Sequence, residues 1–376
     1  MESRRIIEPK QPEKKWLEQF FHPGLLAAQA YHIDTPNVQI KLDQNESPSD
    51  WPGDFKDRIL AKVRERSWNR YPEPYGDELH ELLGDYVGVP ADSLLTGPGS
   101  NMLIGLILDS LTQKMPGKVV IARPSFSLFE MHCRYTNVPY ETWDLDDQFE
   151  YRLERLPELP EGSLVIFASP NNPTGSFLAK DDLKTLLERN PKSYFLADEA
   201  YFEFNDEPYA ELLADYSNLL ILRTLSKTMG AAGVRLGYAL GASSLIHELR
   251  KVRLPYLLNH FGMEAAKVIL REPEMQEFVR RNVDNVRQER DSLYEGLKAC
   301  SSREGFWVKN SKANFLLIRF AEPSRAQHAY QALIDRGILV RNISGGPGLA
   351  GCLRVSIGTP DENQALLAAF KRGFTV

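Results

Sequence analysis

Lys227 stands in Thr224-Leu225-Ser226-Lys227, directly behind the apolar run Leu219-Leu220-Ile221-Leu222. A lysine just past a strand end can be held in a cleft away from water. Free lysine has a pKa of about 10.4, so an amine that forms a Schiff base with a carbonyl near neutral pH must be desolvated or set beside other cations. Arg235, a short way downstream, can supply such a charge. Alone, a lysine after a strand is most often a solvated charge, and its company decides the matter. Asp198-Glu199-Ala200-Tyr201 follows a second apolar run, Tyr194-Phe195-Leu196-Ala197. A carboxylate at the foot of a pocket can keep a pyridine nitrogen protonated, and the positive ring then accepts electrons from a carbanion at a substrate's α-carbon. Asp198 suits that task. A phenol or amide close by can hydrogen-bond a ring oxygen and tune an imine's proton affinity, which singles out Tyr201 and Asn172. An Asp in this position is otherwise often no more than a helix cap.

Two more loops share the pattern of following a strand. Ser169-Pro170-Asn171-Asn172-Pro173-Thr174-Gly175 has the Pro and Gly density of a fixed turn, and its weight comes from its place between the other two motifs. Gly97-Pro98-Gly99-Ser100-Asn101 opens an apolar helical stretch, and a helix start behind such a loop offers free backbone N–H groups and partial positive charge to a phosphate. It begins like a dinucleotide fingerprint, but Met102 stands where the third glycine would be, so the nucleotide signal is weak. As one end of a phosphate cup completed by Ser226 and the planar donor fork of Arg235, the loop is more persuasive.

Such side chains need a scaffold that ends several strands on one edge. Val119-Val120-Ile121-Ala122 and Leu164-Val165-Ile166-Phe167-Ala168 join the two runs above as buried strands of a largely parallel sheet. Amphipathic stretches lie between them, as at 180–189, where Leu183, Leu186 and Leu187 have helical spacing. The expectation is an α/β protein: a large domain at 46–255 with a mainly parallel central sheet, and a smaller α+β domain at 256–376. Residues 1–45 would form an N-terminal arm and part of the small domain. The stretch from about Pro255 through Leu297 reads as a long helix leading into that smaller domain. The active site is expected where the two meet.

Length and composition agree: 376 residues suit one large and one smaller domain, and 43% hydrophobic with 26% charged residues suits a packed globular chain. A net charge of -6 argues against a nucleic-acid binder, which would show a concentrated basic surface. The charged start, with Pro9 and Pro12, lacks a secretory apolar core, and no apolar run approaches the roughly 20 residues that span a bilayer. Cys133, Cys300 and Cys352 form no CxxC pair and suit reduced thiols in a cytoplasmic protein better than a disulfide frame or a metal site.

In chain order, SPNNPTG at 169–175, DEAY at 198–201 and TLSKTMGAAGVRLG at 224–237 resemble the fold type I pyridoxal-phosphate-dependent aminotransferases. More narrowly, KLDQNESP at 41–48, NRYPEPYG at 69–76, ILVRN at 338–342 and CLRVSIGTPDEN at 352–363 look like the histidinol-phosphate aminotransferase branch. The resemblance covers nearly the whole chain from Tyr31 onward. It implies that pyridoxal 5′-phosphate is the cofactor, held covalently by Lys227, with Asp198 on the pyridine nitrogen and Asn172 and Tyr201 on the ring oxygen. Ser100, Asn101, Ser226 and Arg235 would hold its phosphate. Tyr71 would reach the phosphate of a partner subunit, making a homodimer. Arg354 matches the arginine for the substrate's anionic group, with Arg341 nearby; for Arg341 a surface salt bridge is the plain alternative. Asn45 and Tyr31 are further substrate-side candidates. Two departures stand out: Phe126 replaces the usual tyrosine over the ring, and Asn101-Met102 replaces a frequent acidic residue.

The implied reaction is a transamination between a small amino donor and a 2-oxo acid: L-histidinol phosphate and 2-oxoglutarate, within histidine biosynthesis. An aromatic amino-acid aminotransferase is the nearest rival, since imidazole and phenyl rings need similar pockets. A threonine-phosphate decarboxylase-like lyase and a non-catalytic cofactor-binding protein are the others.

Overall fold

The computed structural model describes residues 8–28 and 36–374; Tyr31 lies outside the described residues. Its strands form two sheets. In chain order they are β1 (Ile40–Leu42), β2 (Leu94–Gly97), β3 (Val119–Arg123), β4 (Tyr140–Asp144), β5 (Leu164–Ala168) and β6 (Tyr194–Asp198). The rest are β7 (Leu219–Thr224), β8 (Gly237–Leu240), β9 (Phe306–Lys309), β10 (Phe315–Phe320), β11 (Ile338–Asn342) and β12 (Cys352–Ser356).

The seven-stranded sheet runs β2-β8-β7-β6-β5-β3-β4, parallel except for β8, which lies antiparallel between β2 and β7. Its apolar runs are continuous because both faces are covered. Val120, Val165, Phe195 and Ile221 pack into one core, while Ile121, Ile166, Leu196 and Leu220 pack into another on the opposite face. That alternation is the two-residue period of the pleat applied to strands buried on both sides. Parallel register aligns the strand ends, with Ala168 opposite Asp198 and Asp198 opposite Leu222. The loops after β2, β5, β6 and β7 therefore leave the same edge.

The five-stranded sheet runs β1-β11-β12-β10-β9 and encloses its own core with residues such as Leu297, Phe315, Leu353 and Phe370. β1 comes from far upstream and pairs in parallel with β11. The chain through 260–304 is two helices and not one, His260–Arg271 and Pro273–Glu304. Pro273 has no N–H to donate and holds Glu272 extended (φ -88, ψ 115), so the first helix ends there and the second starts with proline in its first turn. Among the described residues no helix is long and apolar enough to cross a membrane.

Candidate active site

A cavity of about 720 Å³ opens where the aligned strand ends meet the small sheet. Its wall takes Lys227 and Ser226 from behind β7, Asp198 from the end of β6, Tyr201 from just behind it, and Asn172 from behind β5. Ser100 and Asn101 enter at the start of the helix Ser100–Thr112, Arg235 from the turn before β8, and Phe126 from the loop after β3. The small sheet contributes Arg341 and Arg354, and the segment after β1 contributes Asn45. Among the described residues, every site residue expected from the sequence except Tyr71 thus lines one cavity.

The Lys227 amine donates to the carbonyl oxygen of Gln44 at 2.9 Å. Burial pushes its pKa down to about 8; the Arg354 and Arg235 guanidiniums add to the shift, and Glu46 opposes it. The sequence pointed to Arg235 as the charged neighbour, whereas Arg354, from a different sheet, is the stronger one. Asp198 is pushed up to about 7 by burial and by Glu199, against one hydrogen bond from the Ala200 N–H at 3.1 Å. A carboxylate this deep with so little support is at rest as an anion only opposite a cation.

Arg235 sits in the left-handed region at φ 56 and directs Nη1 toward Ser226 Oγ at 3.5 Å and Ala232 O at 3.1 Å. Gly99, at φ 83, has no side chain because a Cβ there would lie 2.7 Å from Arg235 Nη2. No side chain caps the helix Ser100–Thr112, so its first N–H groups stay available beside that guanidinium. Thr224, which the sequence did not single out, donates its hydroxyl to Ser226 Oγ at 3.0 Å and fixes that side chain.

Asn45 serves mainly as a clamp. Its Nδ2 donates to the Tyr201 hydroxyl at 3.0 Å, its backbone N–H to Ser356 Oγ at 2.7 Å, and its carbonyl accepts from Asn314 Nδ2 at 3.1 Å. Burial raises the Tyr201 pKa, so the phenol keeps its proton and can donate it into the cavity. Arg354 donates Nη1 to Asn172 Oδ1 and Nη2 to Asp43 O, both at 2.6 Å. Arg341 and Arg354 are directly opposed across β11 and β12. Like charges in that relation destabilise a sheet, and both of these line the cavity. Tyr71 lies on the surface, 79% exposed, stacked on Tyr256 with centroids 4.6 Å apart. The cavity residues that sequence reasoning missed, Thr224, Gln44, Glu46 and Asp43, adjoin or lie within motifs it had marked.

Chemically, the cavity pairs a readily deprotonated amine with a buried carboxylate, an uncapped helix start and three arginines. The sequence profile described as "Aminotransferase class I and II" matches residues 37–370. A histidinol-phosphate aminotransferase of Aquifex aeolicus is 36% identical over 346 residues, covering 91% of this chain and 95% of the relative. One from Chlorobium luteolum is 35% identical over 364 residues, covering 95% and 98%. Among solved structures, the histidinol-phosphate aminotransferase of Clostridium acetobutylicum superposes with a TM-score of 0.77 at 22% identity, covering 89% of this chain and 98% of that one. The Sinorhizobium meliloti enzyme, solved in complex with pyridoxal-5′-phosphate, gives 0.77 at 22% identity, covering 94% and 96%. The chain belongs to the class I and II aminotransferase family.

Proposed function

We propose that this protein holds pyridoxal 5′-phosphate on Lys227 and transfers the amino group of L-histidinol phosphate to 2-oxoglutarate, giving imidazole acetol phosphate and L-glutamate in histidine biosynthesis. The observation that carries this reading is the single cavity in which an amine with a pKa of about 8 faces a buried carboxylate and two arginines. The activity named for the curated relatives supports it.

The residues fit the cofactor. The cradle kept open by Gly99, the uncapped helix start at Ser100 and Asn101, Ser226 and Arg235 suit a phosphate. Asp198 would face the ring nitrogen, Tyr201 and Asn172 the ring oxygen, and Phe126 the ring face. When bound, pyridoxal phosphate supplies an electron sink for a carbanion at the donor's α-carbon. The Lys227 amine, freed by the amino donor, would take the proton from that carbon and deliver it to the cofactor's former aldehyde carbon, which requires the amine neutral, as its lowered pKa provides. Arg354 and Arg341 hold the anionic end of each substrate in turn, since guanidinium groups donate to phosphate and carboxylate oxygens alike.

The exposed Tyr71–Tyr256 face belongs to the same proposal, as the surface on which a second copy docks and Tyr71 reaches the partner's cofactor phosphate. So does a cytoplasmic setting, supported by three free, buried cysteines. The substrate is tested by kcat/KM for L-histidinol phosphate and for phenylalanine, each with 2-oxoglutarate. A preference of at least about a hundredfold for the phosphorylated donor is expected, because a phosphate brings more charge and more acceptor oxygens to Arg341 and Arg354 than the single carboxylate of phenylalanine. A preference for phenylalanine would make the protein an aromatic aminotransferase, and carbon dioxide release from threonine phosphate would make it a lyase.

A further inference from the structure

A second cavity, of about 340 Å³, adjoins β2 through Leu95 and shares no lining residue with the first. Two guanidinium groups on its wall are fixed by backbone carbonyls. Arg250 donates Nη2 to Ala91 O at 2.9 Å and to Leu94 O at 3.0 Å, with Nε directed at Leu94 O at 3.3 Å. Arg253, only 4% exposed, donates Nε to Thr96 O at 2.8 Å and Nη1 to Pro74 O at 3.0 Å. Arg250 Nη1 and Arg253 Nη2 have no hydrogen-bond partner among the described residues.

The charges around them do not cancel. Among the described residues Asp77 is the one carboxylate on the wall, set against Arg250, Arg253 and Lys251. Glu248 pairs with Lys251 at 2.6 Å, which still leaves two arginines facing one acid. His80 cannot compensate: buried, with Nε2 3.2 Å from Thr96 Oγ1, it is held neutral by desolvation and by the two arginines. Across the cavity stands the first turn of the helix Asp77–Val87, whose N-cap is Gly76 and has no side-chain cap. Capping the carbonyls of Ala91, Leu94, Thr96 and Pro74 does not by itself require two guanidiniums lining one cavity, and their repulsion costs stability.

We propose that this cavity is a second anion site, for inorganic phosphate or the phosphate group of a small monoester. A planar carboxylate pairs with the fork of a single guanidinium, and both forks here are already turned to carbonyls. A tetrahedral oxyanion takes single donors from several directions, which is what the two remaining Nη groups offer, with His247 and Lys251 beside them. The occupant rests against the arginine that ties Thr96, at the root of the Gly97–Gly99 loop, to Pro74 in the segment carrying Tyr71. The site is therefore distinct from the transamination cavity yet braces its phosphate loop.

The test titrates inorganic phosphate into the cofactor-loaded protein by calorimetry, with the cofactor's absorbance followed in parallel as a reporter on the catalytic cavity. The expected result is a phosphate site whose affinity falls at least about tenfold in Lys251→Glu and in Arg250→Gln, is unchanged in Arg354→Lys, and leaves the absorbance unmoved. Lys251 has a side chain 57% exposed, so its variant folds even if Arg250→Gln does not. Glycerol 3-phosphate competing for the same site identifies a monoester ligand, and binding of inorganic phosphate alone identifies the free anion. The proposal is overturned if no phosphate binds, or if binding disappears in Arg354→Lys and is indifferent to Lys251→Glu.

Discussion

An amine surrounded by protein and facing a guanidinium loses its proton more readily than one in water, and Lys227 does so at about pH 8. Only the neutral amine attacks a carbonyl. Capture of pyridoxal phosphate by the cofactor-free protein is therefore expected to speed up as pH rises toward about 8 and to level off above it, as read by stopped-flow absorbance. Lys227→Ala is expected to show no covalent capture at any pH and no more than a trace of turnover. Asp198 works in the opposite sense. Its pKa is raised in the folded state from 3.8 to about 7, so the cofactor-free fold binds more protons than the unfolded chain between those values. Its contribution to stability is fully present below about pH 4 and is lost as pH rises through about 7. Denaturant unfolding of the cofactor-free protein should show that loss, and Asp198→Asn should flatten it while lowering turnover by about a hundredfold or more. A variant whose stability keeps the same pH slope would show that Asp198 is not the group responsible.

At the scale of elements, the site depends on the ends of β6 and β7 staying in register. Glu199, just past β6, accepts from Arg223 Nε of β7 at 2.9 Å and lies 2.7 Å from its Nη2 in an ion pair whose side chains are only 1% and 3% exposed. Removing one partner leaves a buried charge alone, so Glu199→Ala is expected to destabilise the protein by about 3–5 kcal/mol in chemical denaturation, with Lys227 chemistry weakened only through that loss. Gly99→Ala acts on a different link. A Cβ 2.7 Å from Arg235 Nη2, on a backbone at φ 83, displaces the guanidinium from the phosphate cradle and should weaken cofactor affinity about tenfold, with the backbone strain costing about 1–3 kcal/mol of stability. These elements were legible in the sequence because strands buried on both faces appear as unbroken apolar runs, and four of the strands are followed at once by reactive residues. The break at Pro273 was not read, since helical spacing continues on either side of it. The Asn45–Tyr201 clamp and the Arg354–Lys227 proximity were also beyond reach. Each joins positions far apart in the chain, brought together only by the pairing of β1, β11 and β12 and the seating of that small sheet over the large one.

For the molecule as a whole, two sheets place one cavity at their junction, and the exposed tyrosine pair is the face on which the proposed second copy would dock. If Tyr71 completes a partner's site, two separately inactive proteins rescue each other. A mixture of Lys227→Ala and Tyr71→Ala subunits, reassembled at equal ratio, holds about a quarter of its sites with both groups intact and should recover activity to that extent. Sedimentation should show a dimer, and a mixture that stays at the sum of its parts would show that each site is built from one chain. Nothing in the spacing of NRYPEPYG alone shows where Tyr71 points; that expectation rests on resemblance, and the structure adds only its exposure and its stacking on Tyr256.

The most direct test of transamination at Lys227 is the absorbance of the purified protein loaded with pyridoxal phosphate, before and after L-histidinol phosphate is added. The band at about 400–430 nm should fall and one near about 330 nm should grow, and 2-oxoglutarate should reverse the change. No spectral response to that donor, with conversion by phenylalanine instead, would contradict the substrate; no response to any amino donor would contradict transamination itself.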